Sequence, residues 1–333
     1  MVFFSVDLWQ LPPYLRALAS AVPAPRVIAY CPVDGPLTNC PGVDDLRALD
    51  CLVVPTRFGQ AQVGGALARQ SRQFSTAVEV IPHGVDSDRF YPHEDTVEQT
   101  RRQRARAELF PHQPELADGF IVLNANRNQP RKRLDLTLQG FAQFAAGKPP
   151  GVKLLLHSGT IDLGSNTVAL ANELGVLDRV LRVQATRTHP VVSDARLNLI
   201  YNACEVGVNT SVSEGWGLVA FEHAATGAAQ IVPRHSACGE LWHGAATLLP
   251  ATPKDRSSGG AEGGVVSAGA LAEALERLYT DRDYLAQQSR AALDRTRRGD
   301  LQWDAVACRF ESLFDRYVDG VRFSAESRSE KRH

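Results

Sequence analysis

The sequence lacks any Cys-x-x-Cys pair. Its cysteines, at 31, 40, 51, 204, 238 and 308, are scattered, and no Cys/His spacing matches a zinc site. Such cysteines read as reduced thiols, which points to a cytoplasmic protein. No apolar run approaches the ~18 residues that a membrane-spanning helix needs. The opening MVFFSVDLWQ has no positive n-region and carries Asp7 early, so it does not read as a secretory leader. Neither sign of charge prevails: the formal net charge is −1 over 333 residues. Bulk electrostatics therefore argue against nucleic acid as a partner and make no case for an anionic membrane. A clustered carboxylate motif of the Asp-x-Asp kind is missing from any suitable loop. Asp44–Asp45 and the Asp-Arg-Asp at 281–283 read as solvated turns or helix ends.

The chain does contain enough residues for two domains at ~100–200 residues each. Apolar residues make up 44% and charged residues 22%, a balance that suits a globular enzyme. Short, almost unbroken apolar runs recur at 26–31, 51–55, 78–81, 120–123, 152–157, 205–208 and 229–232. Continuous runs of this kind predict parallel strands covered on both faces. Helical patterns lie between them, among them 134–147 and 218–227, the second ending at Gly227. Alternation of strand and helix predicts an α/β fold of the doubly wound kind.

Between about 87 and 118 the chain is polar, carries three prolines and lacks strand patterning. It reads as an interdomain connection with one short charged helix. Arg101, Arg102, Arg104 and Arg106 read there as a solvated face flanked by Glu98 and Glu108. The Gly/Ser-rich stretch 250–264 reads as a mobile loop followed only by helices. Trp303, Val306, Phe310, Leu313, Phe314 and Tyr317 recur at helical spacing and predict a packing stripe.

Two segments carry chemistry. NANRNQPRKRLDL (124–136) follows a strand and precedes a helix, where open α/β sheets bind ligands. Arg127 and Lys132 in it could hold a diphosphate, one as a planar fork and one as a compact charge. Alone the pattern is weak, because basic loops are common. NTSVSEGWGLVAFEHAATG (209–227) also leaves a strand and opens a helix. Gly215 and Gly217 allow close backbone approach, and the N–H groups near Leu218 and Val219 face an anion along the helix dipole. Glu214 and Glu222 are eight apart and flank this turn. Carboxylates there suit a ligand bearing hydroxyls as well as phosphate. GWGLVA also fits the dinucleotide pattern G-x-G-x-x-A formally. Asn209 to Glu214 intervene after the strand, which weakens an oxidoreductase reading.

The Glu-x7-Glu spacing around G-aromatic-G-L resembles the signature of retaining glycosyltransferase family 4. IPHGVDSDRFYP (81–92) resembles that family's "IPNGVD..RF.P", and CLVVPTRFG (51–59) its "vvp.S.f". RNQPRKRLDL resembles "GR...KG.dlli". LNLIYNACEVGVNTSVSEGWGL resembles "l..lY..advfv.PS..EGFGL". LQWDAVACRFESLF resembles the family's closing helix. The likeness covers roughly residues 20 to 320.

This resemblance implies a GT-B fold of two Rossmann-like lobes, with residues 1–112 as the acceptor-side lobe and 113–300 as the donor lobe. Residues 301–325 would form a helix crossing back to the first lobe. It implies transfer of a hexose-type sugar, with retention, from a nucleoside-diphosphate sugar to an acceptor hydroxyl. The sugar nucleotide is then a co-substrate; no separate cofactor and no metal are needed, because Arg127 and Lys132 take the metal's neutralising role. Glu214 would hold the transferred sugar, Glu222 the ribose, and Gly215, Trp216, Gly217, Leu218 and Val219 would complete the donor site. The acceptor is left open among carbohydrate, lipid and small molecule, and a peripheral membrane contact is left open with it.

The first lobe departs from the pattern. Only 25 residues precede RVIAYC, so the lobe reads as shortened at its N-terminus. A catalytically impaired sugar-nucleotide-binding or scaffold protein is the alternative. Pro32 stands where the family often carries His; nearby Asp34 either takes a catalytic role or organises the VDGP turn. His83 reads as a turn residue and His223 as an exposed or packing one. Glu240 either caps a helix or approaches the sugar.

Overall fold

The computed structural model describes residues 1–38, 42–69, 76–93, 98–254 and 263–329, with no side-chain account of 98–99 or 319–329. The chain divides into two compact units, Met1–Gly84 with Gly299–His333, and Val85–Arg298. Both are α/β, and among the described residues all strand pairing within their main sheets is parallel.

The first unit runs β1 (Val2–Ser5), α1 (Leu11–Leu18), β2 (Val27–Tyr30), β3 (Cys51–Val54), α2 (Arg57–Ala68) and β4 (Ala77–Val80). Its sheet order is β1-β2-β3-β4. Because side chains alternate along a strand, an unbroken apolar run covers both faces. Val27, Ala29, Leu52 and Val54 pack on one side with Leu11, Leu15 and Val63. Ile28, Tyr30, Cys51 and Val53 fill the other side.

The second unit opens with α3 (Glu98–Leu109), then β5 (Phe120–Asn124), α4 (Leu134–Ala145), β6 (Val152–Leu156), α5 (Thr167–Glu173) and β7 (Val180–Leu181). There follow α6 (Asp194–Asn202), β8 (Val206–Val208), α7 (Leu218–Ala225), β9 (Ala229–Pro233), α8 (Ser236–Leu241) and β10 (Thr247–Leu249). A hairpin of β11 (Ala251–Lys254) and β12 (Gly263–Val266) leads to α9 (Ala268–Thr280) and α10 (Arg282–Thr296). The sheet order is β10-β9-β8-β5-β6-β7. Phe141 and Phe144 of α4 join Leu271, Leu275 and Leu278 of α9 in the core. Gly140 makes this approach possible, since a Cβ there would lie 2.8 Å from Leu271 Cδ2. The last helix, α11 (Trp303–Ser329), returns to the first unit, where Val306 and Leu313 seal the face of Ile28 and Val53. Phe310 and Phe314 meet Phe3 edge-on at 5.7 and 5.1 Å, as the helical stripe predicts.

The structure departs from the sequence reading in three places. The arginine-rich helix does not present a solvated face: Arg102 and Arg106 are almost fully buried, and Arg101 nearly so. Arg106 donates to Ala203 O at 2.9 Å and to Ala117 O and Gly119 O at 3.1 and 3.0 Å, and it pairs with Glu205. Arg102 donates to Cys204 O and, at 3.4 Å, to Gly227 O. The carbonyls of Ala203, Cys204 and Gly227 lie just past α6 and α7, where helices leave acceptors unsatisfied and the dipole favours cations. Sequence distance to those partners, 97 residues for Ala203, hid the arrangement. The stretch 250–264 is not followed by helices alone, because its ends pair as β11 and β12; residues 255–262, read as mobile, lie outside the described residues. Residues 85–112, counted with the first lobe from the sequence, belong to the second compact unit. No helix of the described residues is long and apolar enough to cross a membrane.

Candidate functional site

The site is built in the second unit, from loops leaving the carboxyl ends of β5 and β8, which are neighbours in the sheet. Asn124, the last residue of β5, accepts from Asn126 N at 3.0 Å and donates to Thr137 at 2.9 Å, so the loop turns at once. Thr210, beyond β8, contacts Thr137 at 2.8 Å and donates to the carbonyls of Lys132 and Arg133 at 3.0 and 2.8 Å. Val212 N donates to Arg131 O at 2.7 Å. The two loops are thus laced together by buried polar contacts, each of which would be costly to leave unmade.

Within the lacing, Lys132 and Glu214 form a buried ion pair. Glu214 also accepts from Asn209 at 3.0 Å and Ser211 at 2.9 Å, with Arg131 at 3.4 Å. Burial pushes its pKa up, but Lys132, Arg131 and the hydrogen bonds overcome that and hold it at about 2. Arg131 further donates to Ser213 O at 2.9 Å. Glu214 N donates to Ser236 Oγ at 3.2 Å, which fixes the loop from the α8 side.

Past Glu214 the chain turns at Gly217, whose φ of 89° is left-handed, and enters α7. The first-turn N–H groups of Leu218 and Val219 have no helical acceptor, and the N-cap residue, Gly217, has no side chain to cap them. The Trp216 ring is buried and stacked on Phe221 at 4.8 Å, with Trp242 behind it, so the indole packs under the turn. Gly215 and Gly217 supply close backbone. Glu222, in the second turn of α7, is half-buried and accepts from Tyr201 Oη at 2.8 Å. Burial raises its pKa, with the Tyr201 hydroxyl pulling the other way.

Arg127 shares the β5 loop with Lys132, but its side chain is exposed and meets Asp162, beyond β6, at 3.4 Å. His157 and His189 lie near this pair, ring to ring at 5.4 Å. Burial lowers the pKa of His157 to about 4. Arg133 stands in a left-handed conformation, φ 50°, with its guanidinium on Asp135 at 2.7 Å. It borders a polar cavity of about 230 Å³ between Gln129, Asp135 and Ser165, which none of the candidate residues lines.

The structure therefore joins Lys132 with Glu214 and places Leu218, Val219 and Glu222 on the helix that follows. Asp34 belongs to the first unit, in the loop after β2. His83 is more than a turn residue: its ring lies 3.3 Å from Tyr30 Oη and packs edge-on against Trp303 at 5.0 Å. His223 is wholly buried, a packing role. Glu240 is half-buried on α8. Arg131, Asn209, Ser211 and Tyr201 were missed as site residues. All four lie inside quoted motifs, but only the packing tells which basic residue of RNQPRKR turns toward Glu214.

No family model matches the chain. The D-inositol 3-phosphate glycosyltransferase of Mycolicibacterium smegmatis is 31% identical over 229 residues, 66% of this chain and 46% of that protein. Mannosylfructose-phosphate synthase of Agrobacterium fabrum is 29% identical over 159 residues, 47% of this chain and 33% of that protein. The chain spans less than half the length of these curated relatives. Sucrose-phosphate synthase from Thermosynechococcus elongatus superposes with a TM-score of 0.69 at 22% identity, covering 96% of this chain and 74% of that one. HepE from Anabaena, solved with UDP and glucose, gives 0.68 at 16% identity, covering 94% and 77%. The fold is the α/β fold of GT-B glycosyltransferases, built of two Rossmann-like units. By sequence the chain is related to glycosyltransferases.

Proposed function

We propose that the chain is a retaining hexosyltransferase of glycosyltransferase family 4, moving a sugar from a nucleoside-diphosphate sugar to an acceptor hydroxyl. One observation carries the reading: the Lys132–Glu214 pair ties the β5 loop to the β8 loop, and the β8 loop leads, through Gly217, into the N-terminus of α7. Cations and aligned N–H groups there stabilise the charge that builds on a departing diphosphate. Lys132 and Arg131, with Arg127 nearby on the same loop, supply that charge without a metal. Glu214, held ionised, accepts from hydroxyls of the transferred sugar once ligand enters, and Glu222 accepts from the ribose. The names of the sequence relatives favour a phosphorylated polyol or sugar as the acceptor. Asp34 is the first-unit candidate for a group near the reacting sugar.

Calorimetry with UDP, GDP and ADP tests the reading. At least one should bind, and Glu222→Ala should weaken it about tenfold. Lys132→Ala should lower turnover of the matching sugar nucleotide by about 10²-fold. Absence of binding by all three nucleotides would sink the proposal.

A further inference from the structure

We infer that Tyr201 is a positioning residue for nucleotide binding: clamped on α6 by the strap 86–93, it aims and ionises Glu222. This rests on the proposed role of Glu222 at the ribose.

Tyr201 is fully buried, and its hydroxyl donates to Glu222 at 2.8 Å. That is the hydrogen bond Glu222 makes among the described residues; its other oxygen accepts none. A buried phenol cannot swing to solvent, so the carboxylate is held in one place on the helix. Tyr201 is itself held by the strap that carries DSDRFYP. Phe90 packs on its ring at 5.6 Å. Asn202, the next residue, donates to Tyr91 O at 3.0 Å and accepts from His93 N at 3.0 Å. Asn198, one turn earlier, accepts from Tyr91 N at 3.3 Å, and Arg89 pairs with Asp194 at the start of α6 at 2.9 Å. A segment far from the donor loops in sequence thus fixes the rotation of α6 and, through it, the donor carboxylate.

The hydroxyl also acts on charge. Burial disfavours the ionised form of Glu222, as does Asp194 from α6, whose own carboxylate is paired with Arg89. Tyr201 opposes both by donating to the carboxylate. His223, beside Glu222 and 5.5 Å from the Tyr201 ring, is kept neutral by burial at about 3. Removal of the hydroxyl alone therefore lets Glu222 take up a proton at higher pH.

The test uses the full chain, whichever of UDP, GDP and ADP binds tightest, and that nucleotide's 2′,3′-dideoxy counterpart. Tyr201→Phe should weaken the ribose-bearing nucleotide about fivefold and leave the dideoxy compound unchanged. The pH at which affinity falls on acidification should move up by about half a unit. Glu222→Gln should abolish that pH step, and adding Tyr201→Phe to Glu222→Ala should cost nothing more. The inference is overturned if Tyr201→Phe spares both compounds, weakens both equally, or leaves the pH step in place. It is also overturned if the hydroxyl still matters once Glu222 is Ala. Failure of the wild-type chain to bind any nucleotide would instead remove the reading beneath it. Should Tyr201→Phe not fold, Asn202→Ala, which loosens the strap, carries the same expectations.

Discussion

Glu214 and Glu222 belong to one motif and flank one turn, yet their surroundings differ completely. Glu214 is buried among two cations and two neutral donors, and its pKa is held at about 2. Glu222 has one neutral donor, no paired cation among the described residues, and a raised pKa. One carboxylate is locked into the structure of the loops, and the other is left with an open oxygen. The difference teaches that equal spacing from a glycine turn does not give equal electrostatics. The neighbouring strand loop decides which glutamate is paired with cations.

The largest effect expected follows from that contrast. Lys132→Met strands a charge at Glu214 and should cost about 3–5 kcal/mol in urea unfolding at pH 7, of which Lys132→Met/Glu214→Gln recovers part. Glu222→Gln should cost under about 1 kcal/mol in the same measurement. Equal losses at the two sites would erase the contrast.

Next comes the response to acid. His157 and His223 have folded pKa values near 4 and 3, below the ordinary 6.5. The unfolded chain therefore takes up protons first, and stability is lost as pH falls from 6.5 toward those values. Glu214 adds a second loss as pH falls from 4.5 to about 2. Glu222, with a raised pKa, has the opposite sign: its burial is relieved, not worsened, by protonation. Melting temperature followed from pH 8 to about 3 should thus flatten at its acid end in Glu214→Gln. In Glu222→Gln the acid loss should steepen slightly.

Smaller effects separate strain from contact. Gly217→Ala meets only Cys238 Sγ, at 3.9 Å, so its cost is the left-handed backbone alone, about 1–2 kcal/mol by thermal unfolding. Arg133→Gly at φ 50° relieves similar strain but loses the pair with Asp135. Its net change should stay within about 1 kcal/mol of zero. A large loss there would mean that Arg133 anchors the Lys132 loop.

Much of the fold was legible in the sequence. The predicted strands from 26–31 to 229–232 each match a strand of the structure to within about a residue at most ends, because unbroken apolar runs can be buried only between two covered faces. β1, β7, β10 and the β11–β12 hairpin were not read. They are short or partly exposed edge elements, so their patterns are weak. The loops that hold the candidate site were also legible, since a basic strand–helix turn and a Glu-x7-Glu turn are local features. The burial of Arg102 and Arg106 was not, because charge near acidic neighbours reads as solvent-facing until the carbonyl ends of α6 and α7 are in place.

Local sequence was enough for the α/β class, the seven apolar strands from 26–31 to 229–232 and the two turns that meet at the site. Apolar continuity, glycine and charge act over a few residues and need no partner to be read. Tertiary structure alone decided that Lys132 answers Glu214 across 82 residues, and that Tyr201 answers Glu222. Those choices depend on β5 and β8 lying side by side and on α6 being bonded to residues 89–93, geometry that only the assembled sheet and its helices create.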